Sequence, residues 1–451
     1  MKNSRRQRKT NAKLKDKGRY ILYWMQASQR IKDNHALYEA MMLANHYKRP
    51  LYVLFVLDET FKDGNRRNFK FLLEGLNDVK AKLKTLGARF IIRRAGLYEG
   101  VVPFLKDATA VVMDDAYLKG LRTVKGKITK QADSLGVPVF YVPSNVIIPV
   151  DEASSKVEYA ARTIRKKLNS AASFWAEALD EDIALEHQDS TSDALPVLDD
   201  LDLEDISVSR FLQGGEKKAL KQLETFLDSG LKHYQESSFN PACAQAVSYL
   251  SAYLHFGHIA PSLVWREVKK RVANDETLSD SADAFLEQLL VRRELAYNFV
   301  WFLEGYDRFE KMTVSWAYET MEKHVDDERG YLYTKADYLA LKTHDDYFNA
   351  AMAQMLKTGY MHNRMRMYWG KKIIEWSKDY KTAYETILDL NNTYFLDGRD
   401  PISYASVAWC FGRHDQAWKE REVFGKLRYM NAGGLKRKSD IEDYVKTWLK
   451  R

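Results

Sequence analysis

The sequence predicts a two-lobed protein. An α/β lobe, built on a Rossmann-like parallel sheet with helices on both faces, precedes a larger lobe that is helical throughout. Three observations predict it. The first third of the chain alternates short apolar runs with amphipathic stretches. A stretch from Glu177 to Asp205 is crowded with acid. After Phe211 the pattern is helical and no strand-like alternation of any length returns. At 451 residues the chain is also too long for a single hydrophobic core.

The expected strands are Tyr20–Met25, Leu51–Leu57, Arg89–Ile92, Ala110–Met113 and Val137–Val142. Between them lie helical patterns at Asn34–His46, Asn68–Leu86 and Arg122–Leu135. Asn34 is placed to cap the first helix, and Gly87 to stop the second. Strands that alternate with helices, and that are apolar along their whole length, belong to a parallel sheet covered on both faces. No GxGxxG loop is present, so this is not a standard dinucleotide-binding lobe. Residues 1–19 form a basic tail, expected to be solvated and mobile. Residues 20–175 form the α/β lobe and residues 176–210 an acidic, solvated linker. Residues 211–451 form the helical lobe, with runs at Gly215–Glu236, Ala242–Leu254, Pro261–Val272, Ser281–Leu303, Asp346–Thr358, His362–Ser377 and Lys381–Leu390.

Composition narrows the function classes. The formal charge of +8 favours a polyanionic partner. Cys243 and Cys410 stand far apart without CxxC spacing, which disfavours a disulfide framework and a cysteine-built zinc site. A reducing, cytoplasmic setting fits, and no uninterrupted apolar span predicts a membrane crossing. HExxH, GxSxG and Walker motifs are absent, and no metal is expected.

Four segments carry the chemistry. In VSYLSAYLHFGHIAP, Ser248 and Ser251 offer hydroxyls where a helix begins, a context that favours an anion and equally suits a plain cap. In GYMHNRMRMYWGKKIIEW, Trp369 and Trp376 are seven residues apart, two turns or roughly 10 Å along one helix face. In LNNTYFLDGRDPISYASVAW, the run Asp397–Pro401 is a turn by its residues. In FLEQLLVRREL, Glu287 and Glu294 are also seven apart, on one face of the expected helix. Beyond Trp409, aromatics interleave with Arg413, Lys419, Arg421, Lys426, Arg428 and the run Lys436, Arg437, Lys438, a mixture suited to phosphate contact and stacking, or to a solvated face.

Together these segments resemble the class II cyclobutane pyrimidine dimer photolyases of the photolyase/cryptochrome family, over almost the whole chain from about Tyr20. The resemblance implies FAD in the helical lobe, held by Tyr234, Ser248, Leu250, Ser251, Arg366, Asn391 and Asp397, with Arg366 and Asp397 paired over the flavin. It implies that Asn391 faces flavin N5, where an amide both donates and accepts. Trp409 and Met367 would wall the lesion pocket, and Glu294 or Glu287 would hydrogen-bond the dimer. Trp369 would be the flavin-proximal electron relay and Trp376 the solvent-side one. Gln416 and Trp418 would enter the space left by the flipped lesion, with Arg421, Arg428, Lys436, Arg437 and Lys438 on the phosphates. The α/β lobe is similar to the family's antenna domain, where a deazaflavin, a folate or no second chromophore are all compatible. The implied activity is light-driven repair of dimers in ultraviolet-damaged DNA by a monomer. A cryptochrome-like FAD light receptor is the alternative.

Three positions depart from the pattern. Phe348 stands at the middle relay tryptophan, with Tyr347, Tyr360 and Trp301 as candidates for a bypass. Ser238 and Phe239 replace an Arg-Asn pair, and the loop after Trp409 is one residue shorter. A lesion of the (6-4) type needs a histidine acid, for which His362 and His414 are the available residues, and neither stands in a recommending context.

Overall fold

A computed structural model describes residues 5–12, 18–180 and 183–450. Residues 1–4 and 13–17 of the basic segment, and Glu181 and Asp182 of the acidic stretch, lie outside the described residues.

Apolar runs with period-2 side chains make one six-stranded sheet: β1 (Gln7–Arg8), β2 (Tyr20–Trp24), β3 (Leu51–Leu57), β4 (Arg89–Arg94), β5 (Ala108–Asp114) and β6 (Val139–Val142). Their spatial order is β1-β6-β5-β2-β3-β4, with β2 to β6 parallel and β1 antiparallel at the edge. Alternation divides β2 between two cores. Ile21 and Tyr23 pack with Leu37, Ala40, Val79 and Leu83 from the helices His35–Tyr47 and Arg66–Leu86. Tyr20, Leu22 and Trp24 pack with Val101, Leu105, Ile128 and Ala132 on the other face. The Asn34 side chain accepts from the Leu37 N–H, and Gly87 ends its helix at φ 76°. The Arg66–Leu86 helix begins two residues earlier than its periodicity predicts, because Asn65 caps it.

Two segments read as solvated by their charge are in fact bound to the sheet. Within the basic tail, Gln7 and Arg8 pair with Tyr141 and Phe140 of β6. Arg5 is buried there and donates to the carbonyls of Pro143 (3.0 Å), Val146 (2.8 Å), Ile147 (2.6 Å) and Trp175. The acidic stretch runs along β4: Phe90 N donates to Thr191 O at 3.0 Å and Asp193 N to Phe90 O at 2.9 Å. Asp193 pairs with Arg93 at 3.1 Å and Asp199 with Arg66 at 2.5 Å. Open sheet edges need a partner, and these segments supply it.

The helical lobe departs from simple periodicity at three places. The run Gly215–Glu236 is divided into a helix Glu216–Thr225, a π-turn Phe226–Gly230, a short 3₁₀ turn and a last turn Tyr234–Ser237. The run Ala242–Leu254 holds a 3₁₀ turn at Ala244–Ala246 and becomes α-helical only at Ser251–His255, since Tyr249 sits at φ 54° in the left-handed region. The run Ser281–Leu303 contains a π-turn at Glu287–Arg292 between the helices Ser279–Leu286 and Arg293–Phe302.

The lobes meet through buried polar contacts. Arg30 donates to Asn145 Oδ1 (2.8 Å), Ser144 O (2.8 Å) and, across the interface, Gly257 O (3.0 Å). Gly257 has φ 69°, and a Cβ there would lie 1.9 Å from Ala27 O, so glycine is required for the lobes to approach. Glu216 accepts from the Ile31 and Lys32 N–H groups at 2.9 and 3.1 Å. Among the described residues no helix is long and apolar enough to cross a membrane.

Arg5→Ala is expected to destabilise the protein by about 2–4 kcal/mol, because several buried carbonyls lose their donor together. Urea unfolding of the variant measures this; a free tail would give no loss.

Candidate cofactor cleft and charged outer face

A cleft in the helical lobe has a volume of about 1010 Å³ counting its open mouth. Several of its polar groups come from four places. The Asn363–Trp376 helix brings Arg366 and Trp369, and the Tyr380–Tyr394 helix brings Asn391. The turn that follows supplies Asp397 and Asp400, and the segment 248–255 supplies Ser248, Ser251 and His255. Tyr234 and Leu250 complete the set expected from sequence. All eight of the expected cofactor and inner relay residues line the cleft, Trp369 among them.

Arg366 and Asp397 form the expected pair: one guanidinium nitrogen donates to both carboxylate oxygens, at 2.9 and 3.0 Å. Arg366 Nε donates to Met361 O at 3.0 Å, and its guanidinium lies 3.9 Å from the Phe395 ring centre. Asp400 is the N-cap of the Pro401–Cys410 helix, and its other oxygen sits 3.0 Å from His255 Nδ1. Burial by itself would raise the Asp400 carboxyl. The His255 hydrogen bond, the His255 and Arg293 charges and the Ile402 N–H reverse this and hold it below the usual range. The Asn391 amide donates to Asn392 Oδ1 at 3.1 Å, which leaves its oxygen available. Such a cleft, apolar over much of its wall with guanidinium groups, carboxylates, hydroxyls and an amide at defined points, suits a large ligand with an anionic middle and a polar ring system.

Sequence reasoning missed His255, Gln288, Arg293 and Asp400. His255 and Asp400 stood inside segments already singled out, and their pairing across 145 residues had no local signal. Gln288 and Arg293 were hidden by the π-turn. That extra residue per turn rotates the helix, so Glu287 and Glu294 do not share a face. Glu287 instead pairs outward with Arg165 (2.8 Å) and Arg292 (3.2 Å). Glu294 is buried, accepts from Ile147 N at 3.0 Å and pairs with Arg293 at 3.3 Å. Neither lines the cleft, and both expectations are corrected: the helix presents Gln288 to the cleft. Met367 and Trp409 are half-buried beside residues of the cleft and are not part of its lining.

Trp376 is also corrected. It is 2% exposed, not solvent-side, and is enclosed by Phe348 (5.2 Å), His344 (5.0 Å) and Tyr333 (5.5 Å) between ring centres. Trp369 Nε1 donates to Met352 Sδ at 3.0 Å. Of the bypass candidates, Trp301 packs on Tyr117 and Arg122 of the sheet lobe, and Tyr347 donates to Glu442 at 2.6 Å. Tyr360 lies near Arg366, 5.8 Å from its guanidinium. His362 and His414 do not line the cleft, and burial lowers both to about 4, so neither is a proton donor at neutral pH. Phe239 is exposed and packs against Arg364 at 5.7 Å.

Beyond Trp409 the chain forms a charged, aromatic outer face. Arg428 is held by Asp415 through two bonds of 2.7 and 2.9 Å, and lies 5.5 Å from the Trp409 ring and 4.2 Å from the exposed Trp418 ring. Gln416, Lys419, Arg421, Lys426, Lys436, Arg437 and Lys438 are exposed.

Comparison with known proteins agrees with this architecture. Residues 21–184 match the family model described as DNA photolyase. The chain is 40% identical to a deoxyribodipyrimidine photo-lyase of Methanothermobacter thermautotrophicus over 95% of this chain and 94% of that protein. It is 35% identical to one of Arabidopsis thaliana, over 94% and 88% respectively. A crystal structure of a bacterial class III photolyase from Agrobacterium tumefaciens shares the fold, with a TM-score of 0.73 at 18% identity, over 98% of this chain and 88% of that one. The chain belongs to the DNA photolyase family, among the enzymes named deoxyribodipyrimidine photo-lyase.

Burial pushes the Glu294 carboxyl up to about 7, against the opposing pull of Arg293, the Ile147 N–H and Arg5. A carboxyl raised above its ordinary value of 4.5 weakens the fold as pH rises from there, and the loss is complete above about 7. Glu294→Gln is therefore expected to remove this part of the pH dependence, worth at most about 3 kcal/mol, and to leave lesion affinity unchanged. Unfolding free energies at pH 5 and pH 8 check the first part, and oligonucleotide binding checks the second.

Proposed function

We propose that this protein splits cyclobutane pyrimidine dimers in DNA with light, holding FAD in the cleft and receiving the flipped lesion beside it. The observation that carries this reading is the paired Arg366–Asp397 group next to Asn391 and Trp369 in one cleft, in a chain 40% identical to a named photo-lyase. When bound, FAD supplies on absorption of blue light the electron that opens the cyclobutane ring. Everything else is the task of the chain. Ser248, Ser251 and Arg293 stand where hydroxyl and guanidinium donors would hold the diphosphate, with Tyr234 along the cofactor. Arg366 and Asp397 orient the ring system, and Asn391 offers it an amide that serves either protonation state. The dimer would rest near Gln288, Met367 and Trp409, where a polar, water-poor pocket stabilises developing negative charge. Phe348 interrupts the tryptophan series, so reloading the cofactor with electrons is slow in this chain while repair by already reduced cofactor proceeds.

Gln416, Trp418, Arg421, Lys436, Arg437 and Lys438 form the surface that meets damaged DNA. Trp418 is the stacking group, and the basic residues neutralise phosphate. A dimer weakens stacking and pairing, so its extrusion costs less than that of intact bases. In the α/β lobe the buried side-chain amides of Asn68 and Gln26 and the amide oxygen of Gln29 have no partner, which is compatible with a second chromophore of the deazaflavin or folate kind. The protein would act as a monomer on DNA inside the cell.

The reduced protein, mixed with ultraviolet-irradiated oligothymidylate, is expected to restore thymine absorbance under blue light and not in darkness. No recovery with FAD bound and reduced would overturn repair and favour a light receptor. Arg437→Ala with Lys438→Ala should weaken binding to all sequences alike and flatten the salt dependence of log affinity by roughly 0.9 for each phosphate no longer neutralised. Fluorescence anisotropy over a salt series measures it.

A further inference from the structure

Behind Trp409 lies a charge to which neither cofactor binding nor DNA binding assigns a role. Lys371, on the Asn363–Trp376 helix, is fully buried. Its ammonium donates to Cys410 O at 2.5 Å and lies 5.3 Å from the centre of the Trp409 ring. No carboxylate pairs with it within 4.0 Å among the described residues. The groups facing it are the Cys410 thiol, itself pushed up by burial, then Asp415, and then the Arg428 guanidinium that lies near the same indole. The backbone cannot yield here. A Cβ on neighbouring Gly370 would lie 2.8 Å from Cys410 Sγ, so the two helices are in close contact.

A buried cation without an ion pair is costly, and a hydrophobic residue of the same shape would pack as well. Part of the cost is offset because Cys410 ends the Pro401–Cys410 helix, whose terminal carbonyls attract positive charge. That explains how the lysine is tolerated. Its neighbours are what give it a use: Cys410 lines the cleft, and Arg428 of the outer face lies near the same Trp409 ring.

We propose that Lys371 is a positioning residue for repair: its ammonium holds the Trp409 wall from behind and keeps that wall positive toward the negative charge arriving on the dimer. This role rests on the protein being a dimer-splitting enzyme. Burial, only partly countered by Cys410 and Asp415, lowers the lysine to about 8. The charge is therefore present below pH 8 and is lost as pH rises through it. Loss of the charge would reduce the fraction of dimers split per absorbed photon without weakening attachment to intact duplex.

The test uses reduced, FAD-loaded protein, comparing wild type with Lys371→Met and Lys371→Arg between pH 7 and pH 9. Splitting per photon at saturating lesion is read in the light, and affinity for irradiated and intact oligonucleotides in the dark. Wild type is expected to show a several-fold fall in yield in a single-proton step near pH 8. Lys371→Met should be several-fold low at every pH, with intact-DNA affinity unchanged. Lys371→Arg should retain the yield and lose the step, since a guanidinium stays charged throughout. A flat wild-type profile, or a Lys371→Met protein with wild-type yield and lesion affinity, would overturn the role. Should the methionine variant fail to fold, the wild-type and arginine profiles still decide. Wild type that binds FAD but splits no dimer even at pH 7 overturns the repair reading itself, and this role with it.

Discussion

The ion pair between Arg366 and Asp397 is the interaction on which the geometry of the cleft depends. It fastens the first turn of the Asn363–Trp376 helix to the turn that precedes the Pro401–Cys410 helix. The turn cannot relax independently. Arg399 stands at φ 60°, with its guanidinium on the Asn392 carbonyl and its N–H on Asn392 Oδ1 at 2.9 Å, so Asn391 is held by the same structure. Three residues past Asp397, Asp400 caps the next helix and takes the contact with His255. Breaking this partly buried pair leaves a charge without its partner and frees the helix and the turn together. The Asn391 amide, the Trp369 indole and an aspartate–histidine contact are thereby fixed around one salt bridge.

The sheet lobe contributes to the same site at a distance. Its 143–147 segment receives Arg5 on one side, and on the other Ile147 N is bonded to Glu294, whose neighbour Arg293 lines the cleft. Arg293 also donates to Asn145 O at 2.6 Å, and Asn145 is bonded to Arg30. Charged side chains buried this deeply stabilise little overall, and removing one partner leaves the other buried and unpaired. Gly257 constrains the docking of the lobes sterically, since any side chain there would collide with Ala27. The cleft is thus held from the inside by Arg366 and from the interface by Arg293.

Much of this was legible in the sequence. The parallel sheet followed from apolar runs between capped helices, and β3, the caps at Asn34 and Gly87 and the pairing of Arg366 with Asp397 were found where they were expected. The failures share a physical cause: local pattern reports polarity and period, not partners. The basic tail and acidic stretch looked solvated because charge usually is, whereas their backbones satisfy the two open edges of the sheet. The two glutamates looked co-facial because a period of 3.6 was assumed through Glu287–Arg292, where the helix widens to a π-turn. Trp376 was expected on the solvent side because the family resemblance implied it, but Tyr333 and His344, distant in sequence, close over it.

The central claim is that the Arg366–Asp397 pair organises a flavin site. A double-mutant cycle on FAD affinity, with Arg366→Gln, Asp397→Asn and the double variant, tests it most directly. The account predicts that each single change weakens FAD binding strongly and that the second adds little to the first, because either one releases the same turn and helix. Purely additive losses, or variants that bind FAD as wild type does, would contradict it.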